Sequence, residues 1–218
     1  MNLAYLGDVL DHWKGSLFEF LKAERLLRDL AVDPMANDGD KWTADDFALF
    51  ARLLHVTKSQ ILRHESPLAT RVRYFAEITH KGDLFLDPDT GIDTGGGSPI
   101  DRYVKPRELA SLLGADGRVV AVYQHVRAQK TCVRVDGCLR AIADVVGGAG
   151  WCSYESGTVA MLLLSRDPAR TTAIAKGFGR LLGKHAAGRV RTGVNERAAQ
   201  RVAGADERRG LRMAGARS

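Results

Sequence analysis

Two carboxylates, Asp87 and Asp89, stand on either side of Pro88 at the end of the apolar run Leu84-Phe85-Leu86. At a strand end such a pair can coordinate a divalent cation or accept hydrogen bonds from an exocyclic amine. The same residues also suit ordinary turn chemistry, in which Asp side chains cap backbone amides. A second polar group, Tyr123-Gln124-His125, follows Val119-Val120-Ala121-Val122. There His125 is the candidate general base, because its unperturbed pKa lies near neutrality. Arg127, two residues on, can hold a phosphate or a carboxylate. A third group opens the chain. Asp8 and His12 are spaced i, i+4, and Asp11 and Lys14 i, i+3, so each pair shares a helix face. Asp8 and Lys14 are thereby candidates to contact substrate, with Tyr123 and Arg127. Asp87, Asp89 and His125 are the catalytic candidates.

Elements that would position these groups can be read from periodicity and punctuation. Leu6, Val9, Leu10, Trp13, Leu17, Phe20 and Leu21 form one stripe of a helix expected over 3–28, with Asp8 as a cap or first-turn acid. A short strand is expected over 29–35, ending at Pro34, followed by a turn at Asn37-Asp38-Gly39-Asp40. Thr43 should cap the next helix. Residues 55–80 suggest one or two helices interrupted at Pro67. A buried strand is expected over 82–87, then a loop over 91–102 that covers the strand ends. Pro106 starts a helix that stops before Gly114. A second buried strand spans 118–123, a helix 133–146, a hairpin 151–165 around Gly157, and a last helix 169–186. This alternation predicts an α/β fold: a three-layer, Rossmann-like sheet, mostly parallel, with an antiparallel C-terminal strand pair. In such sheets ligands sit at the carboxyl ends of the strands. Asp33, Asp87, Asp89 and the 123–125 run all fall there.

The formal charge of the 218 residues is +6, from 32 Lys and Arg against 26 Asp and Glu. It is unevenly placed: residues 189–218 hold 8 Arg and 3 acids, and residues 1–165 carry a net negative charge. A single α/β domain over 1–188 is expected, followed by an Arg-rich tail over 189–218 that has no aromatics and few large apolar residues and should be mostly disordered. The tail suits nonspecific contact with nucleic acid. No apolar run approaches the roughly 20 residues that span a bilayer, and the first residues lack the pattern of a secretory signal. Cys132, Cys138 and Cys152 are an odd set without a Cys-x-x-Cys pair, which fits neither a disulfide framework nor a zinc finger. A cytoplasmic protein without membrane association is the expectation. No Walker loop, Gly-x-Gly-x-x-Gly turn or nucleophile elbow is present. Cys152, placed in a strand, is expected to be buried rather than reactive.

Three segments carry a resemblance together: Tyr5-Leu-Gly-Asp8 through Lys14, Asp83-Leu-Phe-Leu-Asp87-Pro-Asp-Thr-Gly91, and Val119-Val-Ala-Val-Tyr-Gln-His125. The combination is similar to a family of bacterial and phage proteins with Asp-Pro-Asp-Thr/Asn-Gly and Tyr-Gln-His strand ends. More remotely, the order resembles the ribosomal-RNA adenine-N6 methyltransferases. That resemblance implies an S-adenosylmethionine-dependent enzyme acting on nucleic acid, with Asp87 and Pro88 opening the loop that holds the target amine. Asp8 and Lys14 match its opening helix. Asp33, Asn37 and Asp38 stand where the turn that approaches the cofactor would lie. Asp89 and Thr90 depart from the family's Pro and aromatic residue, and the glycine-rich turn after the first strand is missing.

Two other readings stand beside this one. In a metal-dependent nuclease or phosphohydrolase, Asp33 or Asp38 would join Asp87 and Asp89 around Mg²⁺ or Mn²⁺, and His125 would assist a water. In a non-enzymatic protein of a mobile element, the Arg-rich tail would grip nucleic acid.

Overall fold

A computed structural model describes residues 1–38, 41–95, 100–114, 116–126 and 129–195. It is a mixed α/β structure around a six-stranded sheet of order β1-β2-β5-β7-β6-β8. The strands are β1 (Ala31–Asp33), β2 (Leu84–Leu86), β5 (Val119–His125), β6 (Gly150–Ser156), β7 (Val159–Ser165) and β8 (Val190–Val194). Two short strands, β3 (Gly91–Ile92) and β4 (Tyr103–Val104), pair in parallel outside it. The helices are α1 (Val9–Ala23), α2 (Ala44–Leu53), α3 (Arg71–Ala76), α4 (Pro106–Leu112), α5 (Thr131–Ala143) and α6 (Pro168–Leu182). Among the described residues no helix is long and apolar enough to cross a membrane.

The sheet has two halves. β1, β2 and β5 run parallel, whereas β7 is antiparallel to β5, β6 to β7, and β8 to β6. The sheet is mixed, with the expected antiparallel C-terminal pair extended to β5 on one side and β8 on the other, an extension the strand sequences do not reveal. The reason lies in burial: β7 is apolar at every position but its last and buried throughout. A strand covered on both faces reads as a continuous apolar run whatever its direction. β6 and β7 form the expected hairpin, with Ser156 opposite Val159 across Gly157, whose φ is +61°.

Side chains alternate between two apolar clusters, one on each face of the sheet. One gathers Phe18 and Leu21 of α1, Phe50 of α2 and Phe178 of α6 over Val32, Phe85, Ala121 and Tyr123. The other gathers Phe75 of α3, Leu109 of α4 and Val135 and Ile142 of α5 over Leu84, Leu86, Val120 and Val122. Burying each such side chain contributes about 1.5–3 kcal/mol.

Local signals explain most of the boundaries. Asp8 caps α1, its Oδ1 accepting from the amides of Leu10 and Asp11 at 2.8 and 3.1 Å. The helix begins after this cap, six residues later than the stripe suggested, because Leu3–Tyr5 form a separate 3₁₀ turn. Thr43 and Asp46 close a capping box on α2. Over 55–80 only α3 is α-helical, and Pro67 lies in the connection before it.

The expected tail boundary also moves. Val190–Val194 pair with Tyr154–Gly150 of β6, so the sheet takes in residues assigned to a disordered tail. The strand's one arginine, Arg191, is held by carboxylates: its guanidinium meets Asp136 at 2.7 Å and Glu155 at 2.6 Å. Residues 196–218 of that tail lie outside the described residues, as do Gly39, Asp40, Arg127 and residues 96–99 of the expected covering loop. The base of that loop is anchored, since Gln124 accepts from the amide of Ile92 at 2.8 Å and donates to the carbonyl of Thr90 at 3.0 Å.

Candidate functional site

α1 lies across the carboxyl ends of the parallel strands. Its buried positions are Asp11, Lys14, Gly15, Leu17, Phe18 and Leu21, a single helical face. The lower part of that face is apolar, with Phe18 against Phe85 at a centroid distance of 4.7 Å. The upper part is polar and sits over Asp87. Parity on the strands decides which groups meet it. Phe85 faces α1, so Asp87, two residues on, does too; Ala121 and Tyr123 face α1, and His125 follows them.

The centre is a buried triad. Lys14 Nζ donates to Asp11 Oδ1 at 2.8 Å and to Asp87 Oδ2 at 2.7 Å. Their exposures are 3%, 0% and 2%. Asp11 Oδ2 accepts from the amide of Gly7 at 2.8 Å, and the ammonium lies 4.6 Å from the Tyr123 ring centroid. Burial pulls the pKa of Lys14 down, but Asp87 and Asp11 outweigh it and hold the group above its ordinary value. Burial pushes the Asp87 carboxyl up, with Lys14 opposing. The two directions agree physically: two carboxylates share one ammonium, and the excess negative charge makes either proton harder to lose.

A cavity of about 240 Å³ opens beside the triad, lined by Asp8, Lys14, Asp87, Asp89, Tyr123 and His125, and also by Met1, Asn2, Tyr5, Leu10, Asp11 and Pro88. The structure thus brings together all three catalytic candidates and three of the four substrate candidates; Arg127 lies outside the described residues. Within it Asp8 is committed to capping and Asp87 to Lys14. Asp89 makes no hydrogen bond among the described residues, and its nearest cation is Arg102, at 3.8 Å. His125 is half-buried, its Nδ1 lying 3.5 Å from the Tyr123 hydroxyl and its ring 4.8 Å from that ring.

Asp33, Asn37 and Asp38 are not brought to this cavity, which corrects their placement at the shared site. Asp33 pairs in register with Leu86, one residue short of Asp87, so it points to the opposite face of the sheet. There its Oδ1 accepts from the Tyr74 hydroxyl at 2.6 Å and the Met35 amide at 2.8 Å, and its Oδ2 meets His64 Nε2 at 3.1 Å. Asp38 accepts from the Trp42 indole at 3.3 Å. Asn37 Oδ1 is buried without a partner among the described residues. The turn itself is covered by Met1, whose ammonium donates to the carbonyls of Pro34 and Met35 at 2.9 and 2.7 Å. A carboxylate already satisfied three times, under a turn sealed by another residue, does not fit the cradle of S-adenosylmethionine. Nor do these groups fit a metal: among the described residues no three His, Cys, Asp or Glu side chains gather as a ligand set.

Sequence reasoning left Asp11, Met1 and Tyr5 out of the site. The i, i+3 spacing of Asp11 and Lys14 was the available signal for the first; nothing local marks the other two. No family model matches the chain, and no curated protein matches it in sequence.

Proposed function

We propose that the strand-end cavity receives the amino group of a flat, amine-bearing ligand of nucleobase type. The observation that carries this is Asp89, a carboxylate without a hydrogen bond among the described residues, in a cavity whose other walls include Tyr5, Tyr123 and His125. Its acidic groups (Asp8, Asp11, Asp87 and Asp89) outnumber its cations, which favours a ligand that brings donors or positive charge. Aromatic walls suit a ring. In this reading Asp89 accepts from the amine, and His125 is the group positioned to take up a proton. Lys14 acts through Asp87, fixing the strand end on α1.

This keeps the substrate side of the methyltransferase resemblance, an amine held just after the strand bearing Asp87. Helices on both faces of a sheet whose first three strands run parallel support the Rossmann-like kinship behind it. It gives up Asp33, Asn37 and Asp38 as a cofactor cradle. Nucleic acid is the natural source of such an amine, and the Arg-rich segment beyond β8 supplies affinity for it.

Calorimetric titration with adenosine and with purine riboside, which lacks the exocyclic amine, tests the reading. Adenosine should bind more tightly, and Asp89→Asn should remove the difference. Equal binding of the two nucleosides, or binding of neither, overturns it.

A further inference from the structure

At the opposite end of the parallel strands, where β2 and β5 begin, lies a larger cavity of about 770 Å³. Its notable group is Arg118, the residue before β5, only 8% exposed. Arg118 donates Nη1 to the carbonyl of Leu112 at 3.3 Å and Nη2 to the carbonyl of His80. Its Nε has no hydrogen-bond partner among the described residues. Both bonds go to neutral carbonyls, and among the described residues no carboxylate lies within ion-pair distance of the guanidinium. The buried ion pair Arg170–Asp83, at 2.9 Å, shows the usual arrangement in this same molecule. A buried charge without a counter-charge costs several kcal/mol, and an unpaired buried donor adds about 1–3 kcal/mol.

What surrounds Arg118 supplies an anion's other contacts. Lys81 and Arg107 line the same cavity and are exposed. Of its two carboxylates, Glu108 is tied to Arg71, with Oε1 2.5 Å from Arg71 Nε; Asp116 accepts from the backbone amide of Arg118 at 3.3 Å. Lys81, Arg107 and Arg118 are therefore opposed by Asp116 alone. Val72, Phe75 and Ile78 form an apolar wall, and Val72 is 87% exposed. An apolar wall beside convergent cations is the make-up of a small-molecule site.

We propose that this cavity is a second binding site, for a phosphate monoester with an apolar or aromatic body. The phosphate meets Arg118, Lys81 and Arg107, and the body lies on Val72, Phe75 and Ile78. It shares no lining residue with the strand-end cavity, so it does not depend on the reading of that site.

Phenyl phosphate is the probe, because it carries no amine for the strand-end cavity. Calorimetry on the full chain should show saturable binding at least ~10-fold tighter than phenol, since charge-assisted bonds dominate such sites. Lys81→Ala/Arg107→Ala, both at exposed positions, should weaken it at least ~10-fold at unchanged melting temperature without ligand. Asp89→Asn should leave it unaltered, and inorganic phosphate should raise the melting temperature of the wild-type chain. The proposal is overturned if phenyl phosphate does not saturate or the double variant binds it as well. Loss of binding in Asp89→Asn overturns it too.

Discussion

Lys14 Nζ lies 2.7 Å from Asp87 Oδ2, a contact that spans 73 residues of sequence and joins the first helix to the end of the second strand. Asp11 completes the arrangement from the same helix turn. Lys14→Met leaves two buried carboxylates without their cation and should cost about 3–5 kcal/mol. Asp87→Asn, which leaves Lys14 paired with Asp11, should cost less. Urea denaturation of both variants measures the order, and a Lys14→Met variant as stable as wild type would show that the pair is dispensable.

His64 provides a pH handle on the other face of the sheet. Its Nε2 meets Asp33 at 3.1 Å and its Nδ1 Glu77 at 3.5 Å, while the ring stacks on Tyr74 at 3.6 Å. Burial lowers its pKa, but the hydrogen bond and charge of Asp33, with Glu77, hold it above 6.5. A raised folded-state pKa stabilises fully below the unfolded value and is lost as pH rises through the folded one. The melting-temperature difference between wild type and His64→Gln should therefore be largest below pH 6.5 and shrink above neutrality. A difference that grows with pH contradicts this.

Two helical glycines should respond with opposite signs to alanine. A Cβ on Gly15 of α1 would meet the carbonyl oxygen of Leu53 at 1.9 Å, whereas one on Gly179 of α6 meets nothing within 4 Å. Gly179→Ala should stabilise by up to about 1 kcal/mol through helix propensity. Gly15→Ala should destabilise by about 1–3 kcal/mol, as overpacking does. Thermal denaturation of the pair decides it.

The cysteines differ in reach. Cys132 is exposed, whereas Cys138 and Cys152 are buried, and burial pushes their thiols up to about 11 and about 12. One equivalent of a thiol reagent should react with the folded protein and three after unfolding. Rapid reaction of more than one thiol in the folded state would contradict the burial of β6 and α5.

Much of the strand-end cavity was legible because its signals are local. Apolar runs ending in Asp87 and in Tyr123-Gln124-His125 identify strands and their exits, and Asp8 announces its cap two residues ahead of Leu10. Asp33 misled because its position at a strand end is visible, but the face it takes depends on register with β2, which a single segment does not encode. Asp33 and Asp87 sit at neighbouring strand ends and look in opposite directions. β8 was missed because it opens an Arg-rich segment, and the partners of its one arginine, Asp136 and Glu155, are distant in sequence. The antiparallel pairing of β7 with β5 was obscured by helices covering both faces. Lys14 was found through its neighbour Asp11, although its principal partner is on another element.

The change of direction at β5 has a kinetic consequence. β6 and β7 meet through a two-residue turn, so their pairing closes almost no loop, whereas β1 must find β2 across more than fifty residues. Contacts near in sequence form early, and distant parallel pairing is slow. β5 joins both halves, 36 residues from its partners in β2 and 34–46 from those in β7, and Lys14 reaches Asp87 only across 73 residues. The strand-end cavity thus comes into being only when the last strands dock. Amides of β1 and β2 should exchange before those of β6 and β7, so partial opening would dismantle the cavity while leaving the hairpin intact.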